Sequence, residues 1–175
     1  AGVERAWKGL VYAGIAVPDE VFTRISSYLD KVTNEPGFKV NAGGKEFVCE
    51  PGVLYRYVPE KVPDRVMTAE GILMRQYLGW KQDDPRLRQA AEILLAGHLP
   101  NWEERDVYYW YYATQMFSHL DGDYWKSWNA AMRDTLVKKQ AQEGGEKGSW
   151  NPLGTGANAA NGSDFWAFNG AGGRH

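Results

Sequence analysis

Tyr108, Tyr111, Tyr112, Gln115 and His119 fall on one face of a helical stretch from Val107 to Leu120. Phenol hydroxyls, a carboxamide and an imidazole on one side can line an aromatic pocket. Such a wall could stabilise a carbocation through ring faces, or stack a sugar. Val107, Trp110, Thr114 and Phe117 fall on another face, so both sides are bulky and little of the helix should meet water. Trp110 completes the expected ligand-binding set. A core helix whose polar tips are satisfied by neighbouring loops is the plainer account of the same pattern.

Three carboxylates are candidates for acid chemistry. Asp121 lies two residues after His119, with Asp123 nearby, and a carboxylate beside an imidazole can orient a general base. Asp121-Gly122-Asp123 also sits between two helical stretches, where Asp and Gly serve capping and turn geometry. Glu70 lies in a low-charge helix, one turn before Met74. Pointing inward, it would be a buried carboxyl with a raised pKa; in a first turn it would instead complement the helix dipole.

Other chemistry finds less footing. Cys49 is the one cysteine, which excludes an intrachain disulfide and a cysteine-rich zinc site. As a nucleophile it would need a base close in space; as a quiet, partly buried thiol it needs nothing. Gly43-Gly44-Lys45-Glu46 has the wrong spacing for a phosphate loop, and histidine pairs at metal-ligand spacing are absent. No metal and no cofactor are expected. Asn161-Gly162-Ser163 matches a glycosylation acceptor, a tripeptide common by chance.

The elements that must position these residues read mostly as helix. The chain has 175 residues, enough to bury about 70% of its unfolded surface in one domain. Twenty basic against 22 acidic residues leave a formal net charge of -2, with no basic footprint for nucleic acid. No apolar run is long enough to span a membrane. Eight Trp, 10 Tyr and 6 Phe supply an unusual aromatic lining, beside 20 Gly. The chain begins at Ala1, which fits either a removed leader and export or a trimmed start, so the compartment stays open.

Six helices are expected. Val3 to Ala16 shows helical spacing, and Pro18-Asp19-Glu20 opens a second helix with the stripe Val21, Phe22, Ile25, Tyr28, Leu29 and Val32. Thr68 can cap a third helix, running to Leu78. Asp84-Pro85 starts a fourth, Asp106 a fifth and Asp123 a sixth, whose stripe is Trp125, Trp128, Met132, Leu136 and Lys139. Residues 34–66 carry repeated Gly and Pro and read as a long irregular loop. Short β runs are allowed there at Glu46 to Val48 and Leu54 to Val58. Residues 153–175 read as an irregular Gly/Asn-rich tail.

The helices pair as Val3–Val32, Thr68–Leu95 and Asp106–Gln140. In each pair the first carries little charge and the second is striped, the pattern of a buried inner helix and an outer one that covers it. The expected fold class is all-α, an α/α toroid-like arc of about three helical hairpins over residues 1–152.

Leu136 to Gln140, followed by Gly148-Ser149-Trp150, resembles the QW repeat of the squalene cyclase and prenyltransferase superfamily. Seven residues separate Gln140 from Gly148, where the repeat usually has three. Met67 to Gly71 with Tyr77 to Trp80, and Asp106 to Gln115, are similar to bacterial proteins carrying prenyltransferase/squalene-oxidase repeats. The resemblance covers roughly residues 65 to 152. It implies an α/α toroid, of which three pairs would make a half-ring. The closing Gly-Gly-Arg-His fits a repeat that continues in a longer protein.

The family's catalytic motifs do not come with it. No Asp-x-Asp-Asp acid is present, and Asp83-Asp84-Pro85-Arg86-Leu87 has Leu where the magnesium-binding motif needs Asp. Cys49, His98, His119 and His175 sit in no recognisable version of the prenyltransferase zinc motif. The expectation is a non-catalytic repeat module whose concave aromatic face binds an isoprenoid or other apolar molecule, or the remainder of a longer repeat protein. The alternatives are an enzyme on a polyprenyl substrate with an atypical acid (Asp121, Asp123 or Glu70) and a carbohydrate-processing α/α toroid.

Overall fold

A computed structural model describes residue 14 and residues 17–150 of the chain. Helix α1 spans Asp19–Lys31, α2 Arg65–Tyr77, α3 Pro85–Gly97, α4 Val107–Leu120 and α5 Gly122–Lys139. Strands β1 (Phe38–Ala42) and β2 (Lys45–Cys49) pair as an antiparallel hairpin, with Phe38 opposite Cys49 and Ala42 opposite Lys45. The described residues are therefore mostly helical, with one small sheet. The helix expected at Val3 to Ala16 and the Gly/Asn-rich tail lie outside the described residues.

Most helix starts follow from their first residues. Asp84 accepts the Arg86 N–H at 2.9 Å, and Pro85 occupies the first helical position. Asp106 accepts the Tyr109 N–H at 3.0 Å. In α1, Asp19 and Glu20 sit in the first turn and Lys31 in the last, each favourable to the helix dipole.

Two starts differ from expectation. Asp64, not Thr68, caps α2: its Oδ1 accepts the Met67 N–H at 2.9 Å. Thr68 is buried inside the helix, where its hydroxyl accepts the Tyr55 N–H at 3.1 Å. Helix α5 begins at Gly122 rather than Asp123, because Asp121 and Gly122 both take a φ of 60° and turn the chain there. Asp is among the few non-glycine residues that tolerate a positive φ.

Residues 34–66 are also more ordered than a long irregular loop. The expected run Glu46 to Val48 lies within β2, whereas Leu54 to Val58 forms no strand, and Tyr55 makes a single bridge to Thr33. The buried Asn34 side chain organises the segment. Its amide donates to the Cys49 and Glu50 carbonyls at 3.2 and 3.0 Å, and its oxygen accepts the Leu54 N–H at 2.9 Å. One side chain thereby ties three stretches of backbone together, beside the bond that the Glu50 carbonyl accepts from the Val53 N–H at 3.3 Å. The hairpin tip seats on the end of α3. Gly43 has a φ of 57°, and a Cβ there would stand 2.5 Å from the Ala96 carbonyl oxygen.

Helix α2 packs chiefly on α4, while α3 contacts α2, α5 and the hairpin. Between them lies an aromatic core. Trp128 of α5 stacks on Phe117 at 4.8 Å, meets Tyr109 edge-on at 5.6 Å, and donates its indole N–H to Thr114 at 3.0 Å. Of the apolar stripe expected on α5, Trp128 is the member that is fully buried. Beyond α5, the Gln140 amide donates to the Gly148 carbonyl at 2.8 Å, and the Trp150 indole donates to the Leu136 carbonyl at 2.8 Å. The two side chains hold the segment up to Trp150 against the end of the helix, where the Leu136 carbonyl also accepts the Gln140 N–H at 3.1 Å.

The start of α3 also carries a pH dependence. Arg86 grips Asp84 through Nη2 at 2.7 Å and Nε at 3.0 Å, and its guanidinium lies 3.6 Å from the Trp80 ring centroid. Hydrogen bonding to Arg86 holds the Asp84 carboxyl below its ordinary value of 3.8. The folded pKa is depressed, so this contribution is complete above the unfolded value and is lost as pH falls through the folded one. Replacing Asp84 by Asn should lower the urea midpoint at neutral pH. The gap from the parent should narrow below about pH 4. A gap independent of pH would show that the ion pair contributes nothing.

Candidate functional site

The apolar stripe of helix α1 has five positions within the helix and a sixth, Val32, just past its end, and burial covers them unevenly. Leu29 and Val32 are buried, Ile25 is half-buried, and Val21 and Tyr28 are exposed. The open part of the stripe borders a cleft of about 490 Å³ between α1, α2 and the segment Tyr55–Tyr57. Val21, Ile25 and Leu29 form one wall; Met67, Gly71 and Met74 form the other; Tyr55 also lines it. At the rim Tyr57 is 69% exposed, and the Tyr28 hydroxyl reaches its carbonyl at 3.4 Å. The volume falls within the roughly 300–1,000 Å³ typical of small-molecule sites.

A buried guanidinium fixes this geometry. Arg75 of α2 donates to the Tyr55 hydroxyl at 3.0 Å and to Ser26 of α1 at 2.9 Å, and pairs with Asp30 of α1. Its guanidinium also lies 4.8 Å from the Trp80 ring centroid. One side chain thus ties α1, α2 and the Tyr55 segment together. Burial raises the Tyr55 phenol above its ordinary pKa, with Arg75 opposing, so the hydroxyl stays neutral as the acceptor of that bond.

The tyrosine face of α4 lies alongside α2. Tyr108 meets Tyr112 edge-on at 4.9 Å, and Tyr111 meets Tyr112 at 5.1 Å. Burial, together with hydrogen bonds to Tyr112 and Glu70, pushes the Tyr108 phenol well above its ordinary pKa. The Gln115 amide donates to the Tyr111 carbonyl at 3.2 Å, and the exposed His119 sets its ring 5.2 Å from Tyr77 of α2. Tyr108, Tyr111, Tyr112, Gln115 and His119 fall on one face of helix α4, with Tyr112 buried and Tyr111 and His119 exposed. None of them is among the residues lining the cleft; of the sequence-predicted residues, Glu70 alone is. One Glu70 carboxyl oxygen is buried.

Trp110 stands apart from that set. It is buried on the other side of α4, 6.4 Å from the Trp102 ring, and lines a smaller cavity of about 220 Å³ with Arg65, His98 and Tyr109. Burial, reinforced by Arg65, lowers the His98 pKa. Asp121 and Asp123 are exposed at the α4–α5 joint. Lys126 bonds Asp123 at 2.9 Å and lowers its pKa, the reverse of the shift a proton donor needs at neutral pH. Cys49 is buried, and burial raises its thiol pKa, which disfavours the nucleophilic thiolate.

Among the described residues, no three His, Cys, Asp or Glu are grouped to hold a metal ion, and no helix is long and apolar enough to cross a membrane. Comparison with family models, curated proteins and solved structures finds no match for the chain. The site therefore rests on its own geometry. Sequence reasoning missed the cleft because the α1 stripe reads as ordinary core contact. The available signal was its width: five large apolar residues on a helix, and Val32 just past it, facing few expected partners.

Proposed function

We propose that this chain is a non-catalytic binding module, an α/α toroid-like arc of prenyltransferase/squalene-oxidase repeat type, that takes an apolar small molecule of isoprenoid kind. Its binding surface is the cleft between α1 and α2. The observation that carries this reading is the exposed half of the α1 stripe around a walled hollow. Exposed apolar surface gathered at a concavity marks a binding site more often than scattered apolar residues do.

Ile25 lies at the centre of the stripe, half-buried, where it lines the cleft and packs against the core. Ile25→Glu should weaken uptake of the apolar dye N-phenyl-1-naphthylamine at least about tenfold, since a carboxylate in an apolar cleft is costly. The carboxylate also costs stability where Ile25 packs on the core, so uptake is compared per folded protein, below the thermal midpoint of the variant. Equal uptake by variant and parent would remove the cleft as the site. Turnover of squalene or an isoprenoid diphosphate by the chain would refute the non-catalytic part.

A second reading, an enzyme acting on a polyprenyl substrate, is favoured by Glu70, a carboxyl at the cleft with one buried oxygen and a Tyr108 contact. Buried carboxyls are frequent general acids. In that case Glu70→Gln would abolish turnover while leaving dye uptake intact.

A further inference from the structure

The β1–β2 hairpin has two edges, and they are treated differently. Gly43 and Gly44 take φ of 57° and 79°, the two-residue turn that suits strand twist. Such a turn makes Ala42 and Lys45 a hydrogen-bonded pair, so the next bonded pair is Val40 with Phe47. The N–H and C=O of Lys39 and Asn41 therefore point away from β2, and those of Glu46 and Val48 away from β1. On the β2 side the Gln89 amide of α3 donates to the Val48 carbonyl at 2.9 Å. On the β1 side, the N–H and C=O of Lys39 and Asn41 bond no other described residue.

Burial follows the same division. Phe38 and Val40 of β1 pack on the core beside Phe47 and Cys49 of β2, yet only the β2 pair is buried; Phe38 and Val40 stay half-exposed. An unpaired strand edge flanked by apolar side chains is a template for another strand. We propose that β1 pairs antiparallel with β1 of a second copy of this chain, about a twofold axis at Val40. In that register Lys39 faces Asn41 of the second copy, and Asn41 faces its Lys39. Both are bonded pairs, so every outward N–H and C=O of the two strands is satisfied together. Val40 meets Val40 on the axis and Phe38 lies opposite Ala42, which carries the apolar side across the joint. Charge allows the pairing: Lys39 is held by Glu46 of its own hairpin at 3.1 Å, and the residue it faces is uncharged. A second copy matches this register by symmetry, as a twofold interface requires.

A few backbone bonds and a short apolar seam make a small interface, so the dimer is weak and depends on concentration. Sedimentation velocity of the full chain from about 1 μM to about 1 mM should show a monomer passing to a dimer. Lys39→Pro removes an N–H that is unbonded within the chain, at a sheet edge where proline is tolerated. That variant should keep the far-ultraviolet circular dichroism of the parent and stay monomeric throughout. Should it fail to fold, cysteine cross-linking in a Cys49→Ala background decides. Residues facing each other in a non-bonded pair have Cα atoms about 4.5 Å apart, within disulfide reach. Glu46 is more exposed than Val40, but three strand spacings, about 14 Å, would separate it from its symmetry mate. Val40→Cys should therefore form an intermolecular disulfide at least about tenfold faster than Glu46→Cys. Equal or slower cross-linking at Val40 would overturn the proposal, as would a folded Lys39→Pro variant that still dimerises. A parent chain monomeric at every concentration would also overturn it and leave the edge to a strand of another protein. Lys39, Val40 and Glu46 do not line the cleft, so dye uptake is independent of the result.

Discussion

Gly71→Ala should cost at least about 3 kcal/mol of stability, the upper end of what one inserted methyl group does in a packed interior. A Cβ at Gly71 would stand 2.3–2.7 Å from three carbons of the Tyr55 ring. The ring is held in place, since Tyr55 is 1% exposed and its hydroxyl is bonded by Arg75 at 3.0 Å, so it yields only by giving up that bond. Helix α2 and the Tyr55 segment can therefore approach this closely only through a glycine. Urea unfolding of parent, Gly71→Ala, Tyr55→Ala and the double variant would read the contact directly. The double variant should lose much less than the sum of the two singles, because neighbours that clash do not add. An unchanged midpoint for Gly71→Ala would mean that the ring does not lie on the helix. Gly71 and Tyr55 both line the cleft, so the same contact sets its shape.

Trp128→Ala should lose about 3–5 kcal/mol, the range for removing a large aromatic ring from a core. The indole fills the space between α4 and α5 against Phe117 and Tyr109, and its N–H satisfies Thr114. Near-ultraviolet circular dichroism should lose intensity with it, since three packed aromatics, one pair stacked and one edge-on, change environment together. Trp128→Phe keeps an aromatic ring, smaller than the indole, and deletes the bond to Thr114, so it should fall between parent and alanine variant. A loss of under about 1.5 kcal/mol for the alanine variant would place Trp128 outside the core. The dye affinity of the folded fraction should not move, because Trp128 does not line the cleft.

Local signals were legible wherever a few adjacent residues settle the outcome. Asp84-Pro85 and Asp106 start helices because a carboxylate next to free N–H groups needs no distant partner. Thr68 misled for a related reason: a hydroxyl that can cap a helix can also serve the Tyr55 N–H, and only packing decides which. Asn34 shows the same limit. Its side chain binds residues 15 to 20 positions further on, so nothing nearby announces it. Arg75 reads as an ordinary helix charge, yet it is buried at the meeting of three segments.

For the candidate site, the sequence by itself determined residue types and helix faces: the α1 stripe, and the shared side of Tyr108, Tyr111, Tyr112, Gln115 and His119. Periodicity suffices for that, since a helix repeats every 3.6 residues whatever surrounds it. Which face is covered and which stays open was decided by tertiary structure. Trp110 went to the core, Asp121 and Asp123 to a solvent-exposed joint, and the α1 stripe was left half uncovered beside Arg56 and Glu35. Burial is a property of pairs of segments distant in the chain, and a single helix carries no record of how closely its partner approaches.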